Sequence, residues 1–93
     1  MYKMNEYFDG KVVSVGFQGE TLPATVGVMA AGEYEFDTSK KETMTIVSGE
    51  MTVKLPGNDQ WDTYKSGDSF IVEANEVFQL KIPADVAYLC TYE

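Results

Sequence analysis

Turn signals recur at short intervals along the chain and cap the length of any element between them. They are Asp9-Gly10, Gln18-Gly19, Ala31-Gly32, Ser48-Gly49, Pro56-Gly57-Asn58-Asp59 and Lys65-Ser66-Gly67-Asp68. The segments between them are rich in Val, Ile, Thr, Tyr and Phe, side chains that suit a pleated surface. Several alternate with period two, as a half-buried strand does. Met51, Val53 and Leu55 face one way and Thr52 and Lys54 the other. Phe78, Leu80 and Ile82 alternate with Gln79 and Lys81, and Val86, Tyr88, Cys90 and Tyr92 with Ala87, Leu89 and Thr91. No window of about a dozen residues carries a helical stripe. The pattern predicts about eight to ten short strands in an all-β sandwich or barrel.

Composition bounds what such a fold does. The 93 residues suffice for one domain, 1–93, with no linker or low-complexity tract. At 44% hydrophobic residues the chain is globular rather than disordered. No apolar run reaches membrane-spanning length, so no membrane association is expected. Met1-Tyr2-Lys3-Met4-Asn5-Glu6 lacks the apolar core of a signal peptide, and the expected location is the cytoplasm. A net charge of −8 repels phosphate backbones and argues against nucleic acid as a partner. All seven basic residues are lysine, so an anion site must use lysine, hydroxyls or backbone N–H groups. The single cysteine, Cys90, lies in an apolar strand pattern and reads as a buried structural thiol; with no histidine in the chain, it has no base to activate it.

From Gly32 to Gly49 the chain resembles the first cupin motif, in which a His-x-His pair precedes a glutamate that is followed by six residues and a glycine. Glu42 is followed by Thr43 to Ser48 and then Gly49. The two histidine positions fall at Phe36 and Thr38, or at Glu35 and Asp37 if the gap is one longer. The second cupin motif opens at Gly67; Glu73 and Asn75 stand where its proline and second glycine usually sit, and Phe78 where its histidine would be. The resemblance implies a single cupin domain, a double-stranded β-helix or jelly-roll barrel, without its metal-binding histidines. It also implies a homodimer, because cupins often pair. Three imidazoles and a carboxylate suit a first-row metal; one carboxylate alone does not, and no metal or other cofactor is expected. A carboxylate pair, Glu42 with Asp37 or Glu35, is the alternative metal site.

Over Asn5 to Tyr92 the chain is similar to the small bacterial pyrimidine/purine nucleoside phosphorylases within the cupins. The residues that carry the likeness are Asn5-Glu6-Tyr7-Phe8 with Gly10-Lys11-Val12, Gly27-Val28-Met29, Gly32-Glu33-Tyr34, and Glu42-Thr43-Met44 leading into Val47-Ser48-Gly49. Leu55-Pro56, Trp61, Gly67, Phe70, Phe78 and Tyr88-Leu89-Cys90-Thr91-Tyr92 complete the ordered set. The resemblance implies phosphorolysis of ribonucleosides of both base types to a free base and ribose 1-phosphate, with phosphate as co-substrate. Some members have arginine where this chain has Pro23 and Thr91.

That chemistry needs a group for the ribose, a cradle for phosphate and a partner for the base. Glu42 is the candidate catalytic residue, because a carboxylate accepts both ribose hydroxyls and stabilises positive charge on the sugar; the alternative is a relic acid on the inner wall. Thr38, Ser39 and Lys40, in the stretch Asp37 to Lys41, are the candidate phosphate ligands, or else an ordinary polar loop. Phe36, Phe78 and Tyr92 are the candidate base-stacking groups, since stacking tolerates any base; core packing is the alternative for each. A cupin that binds a small molecule without turnover is the competing function.

Overall fold

The computed structural model describes residues 2–93. Ten strands run in chain order: β1 (Met4–Tyr7), β2 (Val12–Gln18), β3 (Pro23–Met29), β4 (Gly32–Asp37), β5 (Glu42–Ser48), β6 (Glu50–Lys54), β7 (Asp62–Lys65), β8 (Ser69–Val72), β9 (Val77–Ile82) and β10 (Val86–Tyr92). They form a six-stranded sheet, β1-β2-β3-β10-β5-β8, and a four-stranded sheet, β4-β9-β6-β7. Every pairing is antiparallel. The result is the all-β cupin jelly-roll that the turn spacing and motifs predict. Strands β1, β8, β4 and β7 remain edges, so the two sheets pack face to face and are not hydrogen-bonded into a closed barrel.

Alternation in the sequence becomes burial in the fold. Met51, Val53, Leu80, Ile46 and Cys90 are almost fully buried, and Phe78, Ile82, Val86 and Tyr88 join them in one core cluster. Each such side chain contributes roughly 1.5–3 kcal/mol of burial. The cluster draws on both sheets, so neither folds without the other's inner face.

Two motif positions are explained by backbone geometry. Gly49 alone separates β5 from β6 and carries the chain from one sheet to the other at φ 94. A Cβ there would lie 2.9 Å from the Asp85 carbonyl oxygen, so the position needs glycine for conformation and for space. Asn75, where the second motif usually has glycine, takes φ 62. Asparagine tolerates this left-handed region better than other side chains, so the turn survives the exchange.

The two outer faces differ in chemistry. On the four-stranded sheet Glu35 bonds Gln79, Thr52 bonds Thr63, and the Lys81 ammonium lies 4.2 Å from the centre of the half-buried Trp61 ring. On the six-stranded sheet the outward rows read Met4-Val15-Val26-Leu89-Thr45-Ser69 and Glu6-Val13-Val28-Ala87 across the strands. Apart from Glu6, on the edge strand, those rows hold no charge. Among the described residues no helix is long and apolar enough to cross a membrane.

Candidate active site

Between the sheets lies a cavity of about 550 Å³. Its two walls differ in chemistry. The four-stranded sheet supplies aromatic rings. Phe36 and Phe78 are register partners on β4 and β9 and stack at 5.8 Å between centroids, 27° apart. Phe8, from the turn after β1, meets Phe36 edge-on at 5.5 Å.

The six-stranded sheet supplies neutral polar groups: Asn5 on β1, Ser14 on β2, Thr25 on β3, and Tyr88 and Tyr92 on β10. Thr25 and Tyr92 share a hydrogen bond of 3.0 Å between their hydroxyls. Gly27 lets the Tyr88 ring lie across β3, because a Cβ there would sit 2.7 Å from the Tyr88 hydroxyl. Burial pushes the Tyr88 phenol up to about 12, and its bond to Ser14 opposes the rise. Burial also pushes the Tyr92 phenol up, against the bond from Thr25. Both hydroxyls therefore stay protonated through the neutral range and act as donors.

Glu42, the first residue of β5, reaches the cavity beside its register partner Tyr92. One carboxylate oxygen accepts a bond from the Cys90 thiol at 3.4 Å. Burial raises the Glu42 carboxyl above its ordinary value of 4.5, and the thiol bond partly offsets this. The thiol is pushed up as well, by burial and by the Glu42 charge, so Cys90 remains an unreactive donor. A half-buried acid on a hydroxyl-lined wall, facing aromatic rings, suits a ligand with a diol, a flat ring and a developing positive charge.

The structure brings six of the residues singled out in the sequence to this cavity: Glu42, Phe36, Phe78 and Tyr92, and the carboxylates Glu35 and Asp37. Phe78 is only 2% exposed, so its ring backs Phe36 more than it meets a ligand. Thr38, Ser39 and Lys40 do not line the cavity, which corrects their reading as the phosphate cradle. Thr38 is buried, and its hydroxyl is spent on backbone, donating to the Glu73 carbonyl at 2.7 Å and accepting from the Glu76 N–H at 3.0 Å. Ser39 and Lys40 are exposed beyond it. Lys41 points to Glu93, 3.7 Å away. Among the described residues no lysine lines the cavity, although Glu35, Asp37 and Glu42 do.

Ser14 and Thr25 escaped the sequence reading as ligand contacts. Their signal was present: Ser14 interrupts Val12-Val13-Val15, and Thr25 sits at inward parity with Met29. Parity becomes a wall only once β1, β2, β3 and β10 are known to be neighbours.

The cupin metal positions do not fit a metal here. Phe36 and Phe78 offer no donor atom and the Thr38 hydroxyl is already engaged, so Glu42 is the one free donor among those positions. The alternative carboxylates, Glu35 and Asp37, line the cavity with Glu42, and Glu35 accepts a bond from Gln79. Among the described residues no three His, Cys, Asp or Glu side chains gather as a metal group.

The sequence model of the pyrimidine/purine nucleoside phosphorylase family matches residues 2–92. A pyrimidine/purine nucleoside phosphorylase from Magnetococcus marinus is 63% identical over 99% of this chain and 99% of its own length. The crystal structure of a protein of unknown function from Vibrio parahaemolyticus superposes with a TM-score of 0.95 at 46% identity, covering 100% of this chain and 99% of that one. An RmlC-like cupin from Shewanella frigidimarina shares the fold, with a TM-score of 0.76 at 20% identity over 98% and 82% of the two chains.

Because the folded-state pKa of Glu42 is raised, its ionisation opposes folding. That cost is absent below pH 4.5 and present once the pH passes the folded-state value. Glu42→Gln is therefore expected to raise the melting temperature at pH 7 by a few degrees. The gain closes as the pH falls below 4.5. Calorimetry at pH 7 and pH 4 checks this, and a variant that melts lower at pH 7 contradicts it.

Proposed function

The chain belongs to the pyrimidine/purine nucleoside phosphorylase family, and on that premise we propose that it is a metal-independent pentosyltransferase. It splits purine and pyrimidine ribonucleosides with phosphate into free base and ribose 1-phosphate. The C1′–N bond breaks and its electron pair leaves with the base. A phosphate oxygen bonds to C1′, and the proton that phosphate gives up ends on the base.

The observation that carries this reading is Glu42, half-buried between an aromatic wall and a hydroxyl wall in one cavity. In the reading, Glu42 holds the ribose hydroxyls and stabilises positive charge growing on the sugar. Phe36 offers its face to the base, and because stacking asks for no particular ring edge it admits both base types. Phosphate is held by neutral donors, Asn5, Ser14, Thr25 and the two tyrosine hydroxyls. In a dry site such hydrogen bonds are worth more than in water. The set of donors at the former metal positions supports chemistry without a metal, since Phe36, Phe78 and Thr38 have no free ligating atom.

The reading includes assembly as a homodimer through the outer face of the six-stranded sheet. Val26 and Val28 are about half exposed there, at 45% and 53%, on a chain whose net charge is −8. Copies with that charge repel one another unless they meet through an uncharged surface. Five strands about 4.8 Å apart and about six residues long give roughly 500 Å² a copy. Two copies then bury about 1,000 Å², the lower bound for a specific interface.

Two measurements test these statements. Pure protein, treated with chelator, is incubated with uridine or guanosine with and without phosphate. Base release that needs phosphate and survives chelation is expected, with kcat in Glu42→Gln lower by about 100-fold. Binding without turnover, or turnover restored only by a divalent ion, contradicts the proposal. In sedimentation, the wild type is expected at twice the 10.4 kDa chain mass, and Val26→Lys at the single mass. A monomeric wild type at micromolar concentration sinks the dimer.

A further inference from the structure

Phe8 stands apart from the rest of the aromatic wall. Its neighbours Asp9 and Gly10 take φ 56 and 84, as the central residues of a type I′ turn do, and the Lys11 N–H closes the turn on the Phe8 carbonyl at 3.2 Å. Phe8 itself has φ 55, which that turn does not require and which a bulky side chain rarely adopts. The conformation aims the ring away from its own sheet. It meets Tyr34 at 5.0 Å and Phe36 at 5.5 Å, both on β4. Strands β1 and β4 are edge strands of different sheets. The Phe8 ring thus spans the gap between two sheet edges, at the side of the cavity, and is 45% exposed while doing so. The strained backbone is held by ring contacts at the cavity mouth.

The spacing says what a second arrangement would be for. At 5.5 Å Phe8 and Phe36 are in direct contact, which leaves no room for a third ring between them. Phe36 is fixed from behind by its stack on Phe78. Phe8 is backed by its turn and by Tyr34 and stays 45% exposed.

We propose that Phe8 is the movable face of the base site, giving way so that a purine or pyrimidine ring enters between it and Phe36. The proposal rests on the nucleoside reading above and adds to it a residue and a cause for breadth. One face of the site is rigid, and the other rides on a turn that relaxes as it opens. A single-ring and a double-ring base then fit without a second pocket.

The test uses two variants. In F8W with W61F, the introduced indole is the only one in the protein, and Trp61 lies on the outer face of the other sheet, away from the cavity. Titrating guanosine and then uridine without phosphate is expected to quench its emission in a saturable way. In F8A, KM for both nucleosides is expected to rise about tenfold, the loss of one stacking face, and kcat to fall by less. A purely structural role would lower the melting temperature and leave the ratio of KM to kcat effects alone. Emission that stays constant at nucleoside concentrations saturating turnover, or an unchanged KM in F8A, overturns the proposal. A wild type that releases no base contradicts the nucleoside reading itself, and the two failures are distinct.

Discussion

The Thr38 hydroxyl ties together the two turns on which the aromatic wall of the cavity is mounted. It donates to the Glu73 carbonyl and accepts from the Glu76 N–H, while the Thr38 backbone pairs with Glu76 and Asn75. These bonds join the end of β4 to the start of β9. Phe36 and Phe78 each lie two residues from that junction, and they stack as register partners. A buried hydroxyl with both bonds made is stabilising, and removing one partner would leave an unsatisfied group at a cost of about 1–3 kcal/mol. Where a metal cupin has a ligand, this chain has a clamp.

The remaining site follows from what the clamp leaves free. Glu42 keeps its place on β5 but has no imidazoles beside it, and its nearest donor is a thiol. Burial without a cation makes it a costly carboxylate, and such costs collect where chemistry is done. The wall that carries Glu42 contributes hydroxyls and an amide rather than ammonium groups. An anion held there meets hydrogen-bond donors instead of opposite charge.

Strand alternation was legible in the sequence because it is local. Met51 with Val53, Phe78 with Leu80 and Ile82, and Val86 with Tyr88 and Cys90 are buried as their period-two pattern requires. Glu42, Phe36, Phe78 and Tyr92 were found through motif spacing and parity. Thr38 was misread because the use of a hydroxyl depends on Glu73 and Glu76, which lie across the fold and leave no mark on Thr38's own neighbours. Lys40 suggested anion binding through its charge alone, and its exposure is decided by the β4–β5 crossing. Ser14 and Thr25 carried a signal, a polar side chain on an apolar inner face, that acquires meaning only with the order of the strands.

The central claim is that the position of a lost metal site now holds a sugar between two walls of different character. A crystal structure with ribose 1-phosphate and a free base bound tests it directly. The account predicts a Glu42 oxygen within about 2.5–3.0 Å of a ribose hydroxyl, with the base against Phe36 and the phosphate on the Ser14 and Thr25 side. Ligand density outside the cavity, or a ribose that makes no contact with Glu42, would contradict it.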